Sequence, residues 1–351
     1  MSPDRNLVND QYPSYSIIVI AHNEAQTIST CLSAVMQLDY PNYEVIVVDD
    51  CSTDATAARV QPYNVTLLRT ELASGPAAAR NRGAEVAQGE YLLFLDGDVE
   101  VRPDLLRCMT AAFAAEPKGT VVQATYRPFS ASTNFSSRYM DYLIAYKTRG
   151  IHNGLVTIIK SFCFALPKSM FVAVGGFDAK ITRATVEDND LGLKLVLQGY
   201  AIMLRTDIQV THLKQFSLKK LLRRSFYTNS DRMKFIFRHR EPKPTNTKSA
   251  MRNVLLADPQ TIQVFKGSLA VAGLTTLLIA AALVMPFLRL LPVCGFALFT
   301  ALNSGYLLRL GRTTGTLFTG LWLVMFFLDL AVSAVGAAHG VVVYFLLRRR
   351  Y

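Results

Sequence analysis

The sequence lacks the cysteine patterns that mark disulfide-rich or zinc-binding proteins. Its five cysteines are widely spaced and form no CxxC pair, which argues against a disulfide framework and against a zinc site. Free thiols are typical of a reducing compartment. Residues 1–11 also lack the apolar run of a secretory signal, so we expect the N-terminal part of the chain to stay in the cytosol.

Charged residues are scarce in the last part of the chain. Residues 264–347 consist mainly of Leu, Ala, Val, Phe and Gly, whereas residues 1–262 have an ordinary mixed composition. Two of the apolar runs, 268–288 and 316–347, are long enough to span a bilayer, and 292–308 is marginal. We therefore expect about three membrane spans, with two or four as alternatives.

Two ionisable residues, Asp329 and His339, interrupt this apolar sequence. Ionisable residues inside a membrane are functional candidates by default, and interhelical hydrogen bonds or snorkelling are the alternatives. With three spans and a cytosolic N-terminal domain, the run Arg348-Arg349-Arg350 would lie outside, against the positive-inside rule. The sequence leaves this conflict open.

One stretch of the chain accounts for nearly all of the formal net charge of +11. From Lys214 to Arg252 there are twelve Lys or Arg residues against only Asp231 and Glu241. Because this stretch directly precedes the first long apolar run, we expect it to bind an anionic lipid surface and no nucleic acid. Apolar residues recur in it at a spacing typical of an interfacial helix, or of a buried helix with a basic outer face. They are Leu218, Leu221, Leu222 and Phe226.

Short apolar strands alternate with helical segments in the first half of the chain. The pattern predicts strands at 15–21, 43–48, 65–68 and 91–95, and helices at 24–38, 54–60, 76–86 and 103–113. Near-continuous apolar strands of this kind are typical of a parallel sheet that is covered on both faces. The pattern therefore predicts a doubly wound α/β domain, whose ligands bind outside the carboxyl ends of the strands.

Polar residues cluster where three of the predicted strands end. The clusters are His22-Asn23-Glu24, Asp49-Asp50 and Asp96-Gly97-Asp98. A single residue of this kind is commonly a helix cap or a turn residue. Three clusters at the carboxyl ends of neighbouring strands indicate a binding site along one edge of the sheet.

Five segments in a fixed order resemble the family 2 glycosyltransferases with a GT-A fold. The segments are IAHNEAQTI, VIVVDDCSTDAT, ASGPAAARNRGAEVAQGEYLLFLDGDV, VGGFDAKITRATVEDNDLGLKLVLQGY and VTHLKQFS, and the resemblance covers about residues 14–240. It implies an inverting transferase with a Rossmann-like, mainly parallel sheet and a nucleotide-sugar donor. We expect a GT-A catalytic domain over 1–213, a basic interfacial segment over 214–263 and a transmembrane region over 264–351.

The resemblance implies a metal site that involves Asp98. It gives Asp98 the metal contact, Asp96 a ribose or metal-shell contact, and His212 the position of a histidine that completes the shell. Mg²⁺ or Mn²⁺ would bridge carboxylate and diphosphate and neutralise the departing nucleotide. A shell of His and carboxylate favours Mn²⁺, and a polar core residue is the alternative for His212.

The nucleotide-binding residues also follow from the resemblance. Asp49 and Asp50 correspond to the pair that contacts the base, with Asp50 as the direct contact, and Glu24 lies near the nucleoside. A carboxylate accepts a hydrogen bond from a uracil imide, but equally from a guanine, so we expect UDP and leave GDP open. Arg80 is expected to meet nucleotide or diphosphate oxygens, with a solvated helix face as its alternative.

The catalytic base is expected at Glu187-Asp188. This pair precedes an apolar helical segment that Gly199 would end, and the resemblance gives Asp188 the role of deprotonating the acceptor. The alternative is a carboxylate that stabilises the helix dipole. A hydroxyl acceptor needs such a base, whereas a phosphate is already ionised. We therefore expect a hydroxyl on a lipid or lipid-linked glycan, with polyprenyl phosphate as the alternative.

One branch of the family is not matched beyond His212. Processive polysaccharide synthases have a Gln-x-x-Arg-Trp motif there, whereas the sole tryptophan of this chain is Trp322. Arg223 or Arg224 is expected to meet the diphosphate instead.

We expect a multi-pass membrane enzyme with a cytosolic catalytic domain. The remaining alternatives are a polysaccharide synthase, a non-catalytic nucleotide-sugar-binding module, and a transporter or membrane scaffold with an α/β appendage.

Overall fold

The computed structural model describes residues 12–117, 119–127, 134–148, 152–240, 268, 270–279, 281 and 290–346. The strands are β1 (Tyr15–Ala21), β2 (Tyr43–Asp49), β3 (Thr66–Arg69), β4 (Tyr91–Asp96), β5 (Val99–Glu100), β6 (Thr120–Tyr126), β7 (Gly154–Val156), β8 (Cys163–Pro167) and β9 (Ala201–His212). The helices are α1 (Ile28–Val35), α2 (Thr56–Val60), α3 (Pro76–Val86), α4 (Leu105–Ala115), α5 (Phe135–Thr148), α6 (Lys168–Ala173), α7 (Glu187–Leu197), α8 (Leu218–Arg240), α9 (Ala270–Ile279), α10 (Leu290–Thr314) and α11 (Thr316–Leu346).

These elements form two compact units. The first contains all the described strands together with α1–α4, α6 and α7, and it continues to Lys214. The second contains α5 and α8–α11. The sequence did not predict that α5 groups with the C-terminal helices, and the domain bounds expected above stay predictions.

The sheet of the first unit has the strand order β3-β2-β1-β4-β8-β6-β9-β5, and β7 pairs with β9. The four strands predicted from the sequence are present and run parallel to one another, which confirms the α/β fold. The other half of the sheet is mixed, because β8 runs antiparallel to both β4 and β6. The strand β9 runs parallel to β6 and ends at His212, as expected.

Both faces of this sheet are covered. Alternate residues of β1 belong to two different cores: Ile17 and Val19 pack in one, and Ile18 packs in the other. The first core is completed by α1 and α4, and the second by α3, α6 and α7. This two-sided burial explains why the strands have continuous apolar sequences.

In the second unit, α8 packs closely against α11 through two glycines. A Cβ added at Gly336 would lie 2.2 Å from the carbonyl oxygen of Phe226, and one at Gly340 would lie 2.2 Å from that of Ser230. The two helix backbones therefore approach so closely at these points that no side chain fits at either glycine. The basic helix predicted from the sequence is α8, and one side of it packs against α11.

Hydrogen bonds between helices account for the two ionisable residues of α11. Asp329 is buried and accepts hydrogen bonds from the hydroxyls of Tyr139 and Ser225. His339 Nδ1 lies 3.0 Å from Ser230 Oγ. Of the alternatives that the sequence left open, these contacts match interhelical hydrogen bonding.

Two described helices are long and apolar enough to cross a membrane, by length and composition. They are α10 and α11, with 25 and 31 residues. Residues 241–252 lie outside the described residues, and the predicted span at 268–288 is described only at 268, 270–279 and 281. The expected number of spans therefore stays a prediction.

Candidate functional site

The polar clusters at the strand ends come together at one edge of the sheet, as predicted. The backbone N–H of Asp50 donates to Ala21 at 2.9 Å, and the N–H of Gly97 donates to Ile20 at 2.9 Å. His22 Nδ1 lies 2.7 Å from the carbonyl oxygen of Asp50. The segments that follow β1, β2 and β4 are thus joined directly by hydrogen bonds.

The buried Asp50 carboxylate holds the loop that precedes α3. Its Oδ1 accepts hydrogen bonds from the Thr70 hydroxyl and from the N–H and hydroxyl of Ser74, and its Oδ2 accepts one from the N–H of Gly75. Burial alone raises the pKa of Asp50, but these hydrogen bonds outweigh it and the pKa is lowered. The neighbouring Asp49 is fully buried, and its Oδ2 lies 3.3 Å from Arg69 Nε.

Arg80 connects two of the predicted motifs. Its Nη2 lies 2.9 Å from Asp96 Oδ1, and its Nη1 lies 3.2 Å from Glu187 Oε1. The guanidinium carbon also lies 5.3 Å from the centre of the Phe177 ring. The alternative of a solvated helix face is wrong, because the Arg80 side chain is only 3% exposed.

The two carboxylates that contact Arg80 have raised pKa values. Burial, followed by the charge of Asp188, raises the pKa of Glu187 to about 7 in spite of Arg80. Burial also raises the pKa of Asp96 to about 6, with Arg80 opposing it and Asp98 adding to it. Perturbed acids that share a charged partner are typical of functional sites.

Asp188 and Glu187 differ in exposure and contacts at the start of α7. Glu187 is buried, and its second oxygen accepts a hydrogen bond from the Thr185 N–H at 2.8 Å. Asp188 is partly exposed and accepts a hydrogen bond from the Asn189 N–H at 2.8 Å. Gly199 follows the helix with φ of 85°, as expected of its terminator. Of the two acids, Asp188 is the one accessible to another molecule.

Asp98 and His212 lie on paired segments. The short strand β5 pairs antiparallel with the end of β9, so that Val99 is opposite His212. His212 Nε2 lies 3.8 Å from Asp98 Oδ2, and the His212 ring packs 5.0 Å from that of Tyr126. The structure therefore brings together the two residues for which the sequence predicts metal contacts.

Lys214 belongs to this site and was missed by the sequence argument. Its ammonium contacts Glu24 Oε1 and lies 2.8 Å from Asp98 Oδ2. Burial alone lowers the pKa of Lys214, but Asp98 and Glu24 outweigh it and the pKa is raised. Its position two residues after His212 is the signal that could have identified it.

The residues at Asp98 fit a divalent cation as part of a coordination shell. They offer a carboxylate oxygen and an imidazole nitrogen, a pair that suits Mn²⁺. Among the described residues there is no group of three or more potential His, Cys, Asp or Glu ligands. Oxygens from a bound diphosphate and water would have to complete the shell.

The two arginines expected at the diphosphate lie on α8 in the second unit. Both side chains are exposed. The guanidinium of Arg223 lies 5.6 Å from the centre of the Tyr227 ring, and that of Arg224 lies 5.7 Å from that of Phe216. Their role at the diphosphate stays a prediction.

Residues 16–174 match the model of the family described as Glycosyl transferase family 2. The chain is 40% identical over 103 residues to the succinoglycan biosynthesis protein ExoO of Rhizobium meliloti, which covers 28% of this chain and 30% of that protein. It is 29% identical over 188 residues to an uncharacterized glycosyltransferase of Haemophilus influenzae, covering 52% and 61% of the two chains. In both matches, less than two thirds of the relative's length is spanned.

Two solved structures resemble the whole chain in fold. The mannosyltransferase PcManGT from Pyrobaculum calidifontis, in complex with GDP-Man and Mn²⁺, has a TM-score of 0.58 at 21% identity, covering 93% of this chain and 87% of that one. TarS 1–349 from S. aureus, in complex with UDP-GlcNAc, has a TM-score of 0.50 at 17% identity, covering 93% and 90%. At these identities the likeness shows the fold, which is the GT-A fold.

Proposed function

The chain belongs to glycosyl transferase family 2 through residues 16–174, and on this premise we propose that it is an inverting, membrane-bound glycosyltransferase. It transfers a sugar from a UDP-linked donor to a hydroxyl of a lipid or a lipid-linked glycan. The observation that carries the proposal is the pair of contacts from Arg80 to Asp96 and Glu187. These contacts support a single reaction centre that contains both the donor motif and the acidic motif of α7.

In the proposed mechanism, Asp188 is the general base. It is partly exposed and lies beside the buried Glu187, so it is the carboxylate that an acceptor hydroxyl can approach. Proton removal by Asp188 lets the hydroxyl oxygen attack the anomeric carbon directly, and the nucleoside diphosphate leaves from the opposite side. Glu187 has both oxygens occupied by Arg80 and the Thr185 N–H, and its role is to orient Arg80.

The donor end of the site is proposed to include Asp98 and His212, which would hold Mn²⁺ or Mg²⁺. When bound, the cation would neutralise negative charge on the leaving diphosphate. The solved mannosyltransferase with a similar fold is in complex with GDP-Man and Mn²⁺, which supports this choice. Asp96 would contact the ribose or the metal shell, with Arg80 holding its carboxylate in place.

The nucleoside is proposed to bind beside Glu24, Asp49 and Asp50. Asp50 accepts hydrogen bonds from residues of the 70–75 loop. Its carboxylate therefore also fixes the loop that would form one side of the binding site for the base. The solved structures of similar fold contain GDP-Man in one case and UDP-GlcNAc in the other. UDP is the nucleotide proposed for this chain, and GDP is the alternative that an experiment must exclude.

The membrane part of the proposal rests on α10, α11 and the basic face of α8. The first two are long and apolar enough to span a bilayer. Lys219, Lys220, Arg223 and Arg224 are exposed on α8, where anionic headgroups would attract them. The relative named for succinoglycan biosynthesis supports a glycan acceptor, and the proposed lipid carrier would hold that glycan at the membrane. We place the catalytic domain on the cytosolic side.

The test is a survey of donors and acceptors with the purified full chain. Lipid extracts are incubated with several UDP- and GDP-sugars, and products are identified by mass spectrometry. A new hexose on a lipid or lipid-linked glycan hydroxyl supports the proposal, whereas a sugar attached through phosphate to a polyprenyl chain replaces it with the alternative. Donor binding without transfer or hydrolysis of any donor would show a non-catalytic module.

A further inference from the structure

The backbone fixes Lys214 next to the candidate metal ligands. Val99 pairs with His212, and the N–H of Leu213 donates a hydrogen bond to the carbonyl oxygen of Asp98 at 2.8 Å. Lys214 directly follows Leu213, so its side chain begins close to Asp98, which it contacts. The pairing of β5 with β9 therefore positions Lys214 at the site.

The Lys214 ammonium pairs with two poorly exposed carboxylates. It contacts Glu24 Oε1 and Asp98 Oδ2, and these side chains are 14% and 9% exposed. Charges in such surroundings interact more strongly than charges in water. Arg80 pairs with Asp96 and Glu187, so Arg80 and Lys214 together offset part of the acidic charge of the site without any added cation.

A divalent cation and Lys214 would use the same oxygen of Asp98. Asp98 Oδ2 lies 2.8 Å from Lys214 Nζ and is also the atom that faces His212 Nε2 at 3.8 Å. A metal ion held by Asp98 and His212 would therefore lie close to the ammonium, and like charges repel. A diphosphate relieves this repulsion, because its oxygens accept the ammonium and complete the metal shell.

We propose that Lys214 couples metal uptake to donor binding. Without donor, its ammonium holds Asp98 and keeps the affinity for a divalent cation low; with donor, it moves to the diphosphate and releases the carboxylate. This inference rests on the proposed function and makes Lys214 a donor-binding residue. Because such coupling is reciprocal, the cation also raises the affinity for the nucleotide.

The test measures Mn²⁺ binding directly, by the loss of the free Mn²⁺ EPR signal, on the purified full chain. Wild type, Lys214→Met and Lys214→Gln are titrated alone, with UDP and with GDP. Lys180→Met is the matched control, because Lys180 is an exposed lysine of the same unit. Circular dichroism and thermal unfolding establish that each variant is folded.

Without nucleotide, Lys214→Met is expected to bind Mn²⁺ at least about fivefold more tightly than wild type, the lower end of usual coupling factors. Lys214→Gln is expected to show a gain of the same sign. Adding Asp98→Asn to Lys214→Met should remove the gain, and Lys180→Met should show none. The nucleotide should enhance Mn²⁺ binding less in Lys214→Met than in wild type.

Two results overturn the inference, and they differ in what they say about the proposed function. If wild type binds Mn²⁺ with nucleotide but neither Lys214 variant gains affinity without it, the inference is wrong and a metal-dependent transferase stands. If no variant binds Mn²⁺ under any condition, metal dependence is wrong and the inference is refuted with it.

Discussion

The Arg80 guanidinium lies 3.2 Å from the Glu187 carboxylate, although 107 positions of sequence separate them. Both side chains are almost completely buried, at 3% and 4% exposure. Removing one member of a buried ion pair leaves an uncompensated charge and typically costs about 3–5 kcal/mol. The pair therefore links the stability of the domain to the geometry of its site.

Asp188→Asn should abolish transfer and spare donor binding. The amide keeps the shape of the side chain but cannot accept a proton, so kcat should fall by about 10²–10⁴-fold, the usual range for loss of general acid–base catalysis. The measurement pairs steady-state kinetics with nucleotide binding by calorimetry. Asp207→Asn, at an exposed carboxylate paired with Arg205, is the control, and near-normal turnover of Asp188→Asn would show that another group is the base.

Chelation and Asp98→Ala should have related effects. Excess EDTA is expected to stop transfer, and Mn²⁺ or Mg²⁺ should restore it, since Asp98 and His212 would supply only part of a coordination shell and hold the cation exchangeably. Asp98→Ala should weaken nucleotide binding when metal is present and change it less when metal is absent. Full activity in excess EDTA would contradict metal dependence.

Glu187 should make stability depend on pH. Because its pKa is raised from 4.5 to about 7, the native state holds a proton that the unfolded chain releases. This contribution to stability is fully present below about pH 4.5 and is lost as the pH rises through about 7. Glu187→Gln stays neutral throughout, so the Tm of wild type relative to this variant should fall between about pH 5 and pH 8.

The control for this comparison is Glu85→Gln, which removes an exposed carboxylate of α3. Its Tm difference from wild type should stay nearly constant over the same pH range. If Glu187→Gln behaves like the control, then Glu187 is ionised across the whole range and its charge is fully compensated by Arg80.

The basic face of α8 should make activity depend on anionic lipid. Replacing Lys219, Lys220, Arg223 and Arg224 by Gln removes exposed charges, each worth roughly 1 kcal/mol near an anionic surface. With the full chain in nanodiscs, wild type should transfer faster as the anionic lipid fraction rises, and high salt should reduce this effect. The quadruple variant should respond less, whereas Arg59→Gln with Lys180→Gln should respond like wild type.

The full chain is needed for this experiment because α8 also packs on α11. A chain that ended near residue 252 would expose the backbone of α8 at Phe226 and Ser230, which Gly336 and Gly340 cover. Vesicle binding by such a fragment would then mix charge attraction with exposed packing surface. An equal lipid response of the quadruple variant and wild type would show that the basic face is merely solvated.

Gly336→Ala and Gly340→Ala should destabilise the second unit. Each added Cβ would lie 2.2 Å from a carbonyl oxygen of α8, so the helices must separate, at a cost of about 1–3 kcal/mol for overpacking. Gly320→Ala is the matched control on the same helix, because its Cβ would meet nothing within 4 Å. Thermal unfolding in detergent measures the effect, and equal Tm values for all three variants would mean that α8 does not rest on these glycines.

The sequence by itself determined the elements whose causes are local. The strands β1, β2 and β4 follow from continuous apolar runs, and the acidic clusters after them follow from turn chemistry within a few residues. The helix that starts at Glu187 and ends before Gly199 is determined in the same way. Since parallel strands end at one edge, the convergence of Glu24, Asp50 and Asp96 was also predictable.

Only the tertiary structure decided which groups meet. Nothing near Arg80 in the sequence indicates Glu187 as its partner, and an arginine on a helix is equally compatible with a solvated face. Lys214 likewise looks like one more lysine of a basic stretch until the β5–β9 pairing brings it to Asp98. The close approach of α8 to Gly336 is likewise decided only by the tertiary structure. Such contacts depend on the summed packing of distant segments, whereas local propensities act over only a few residues.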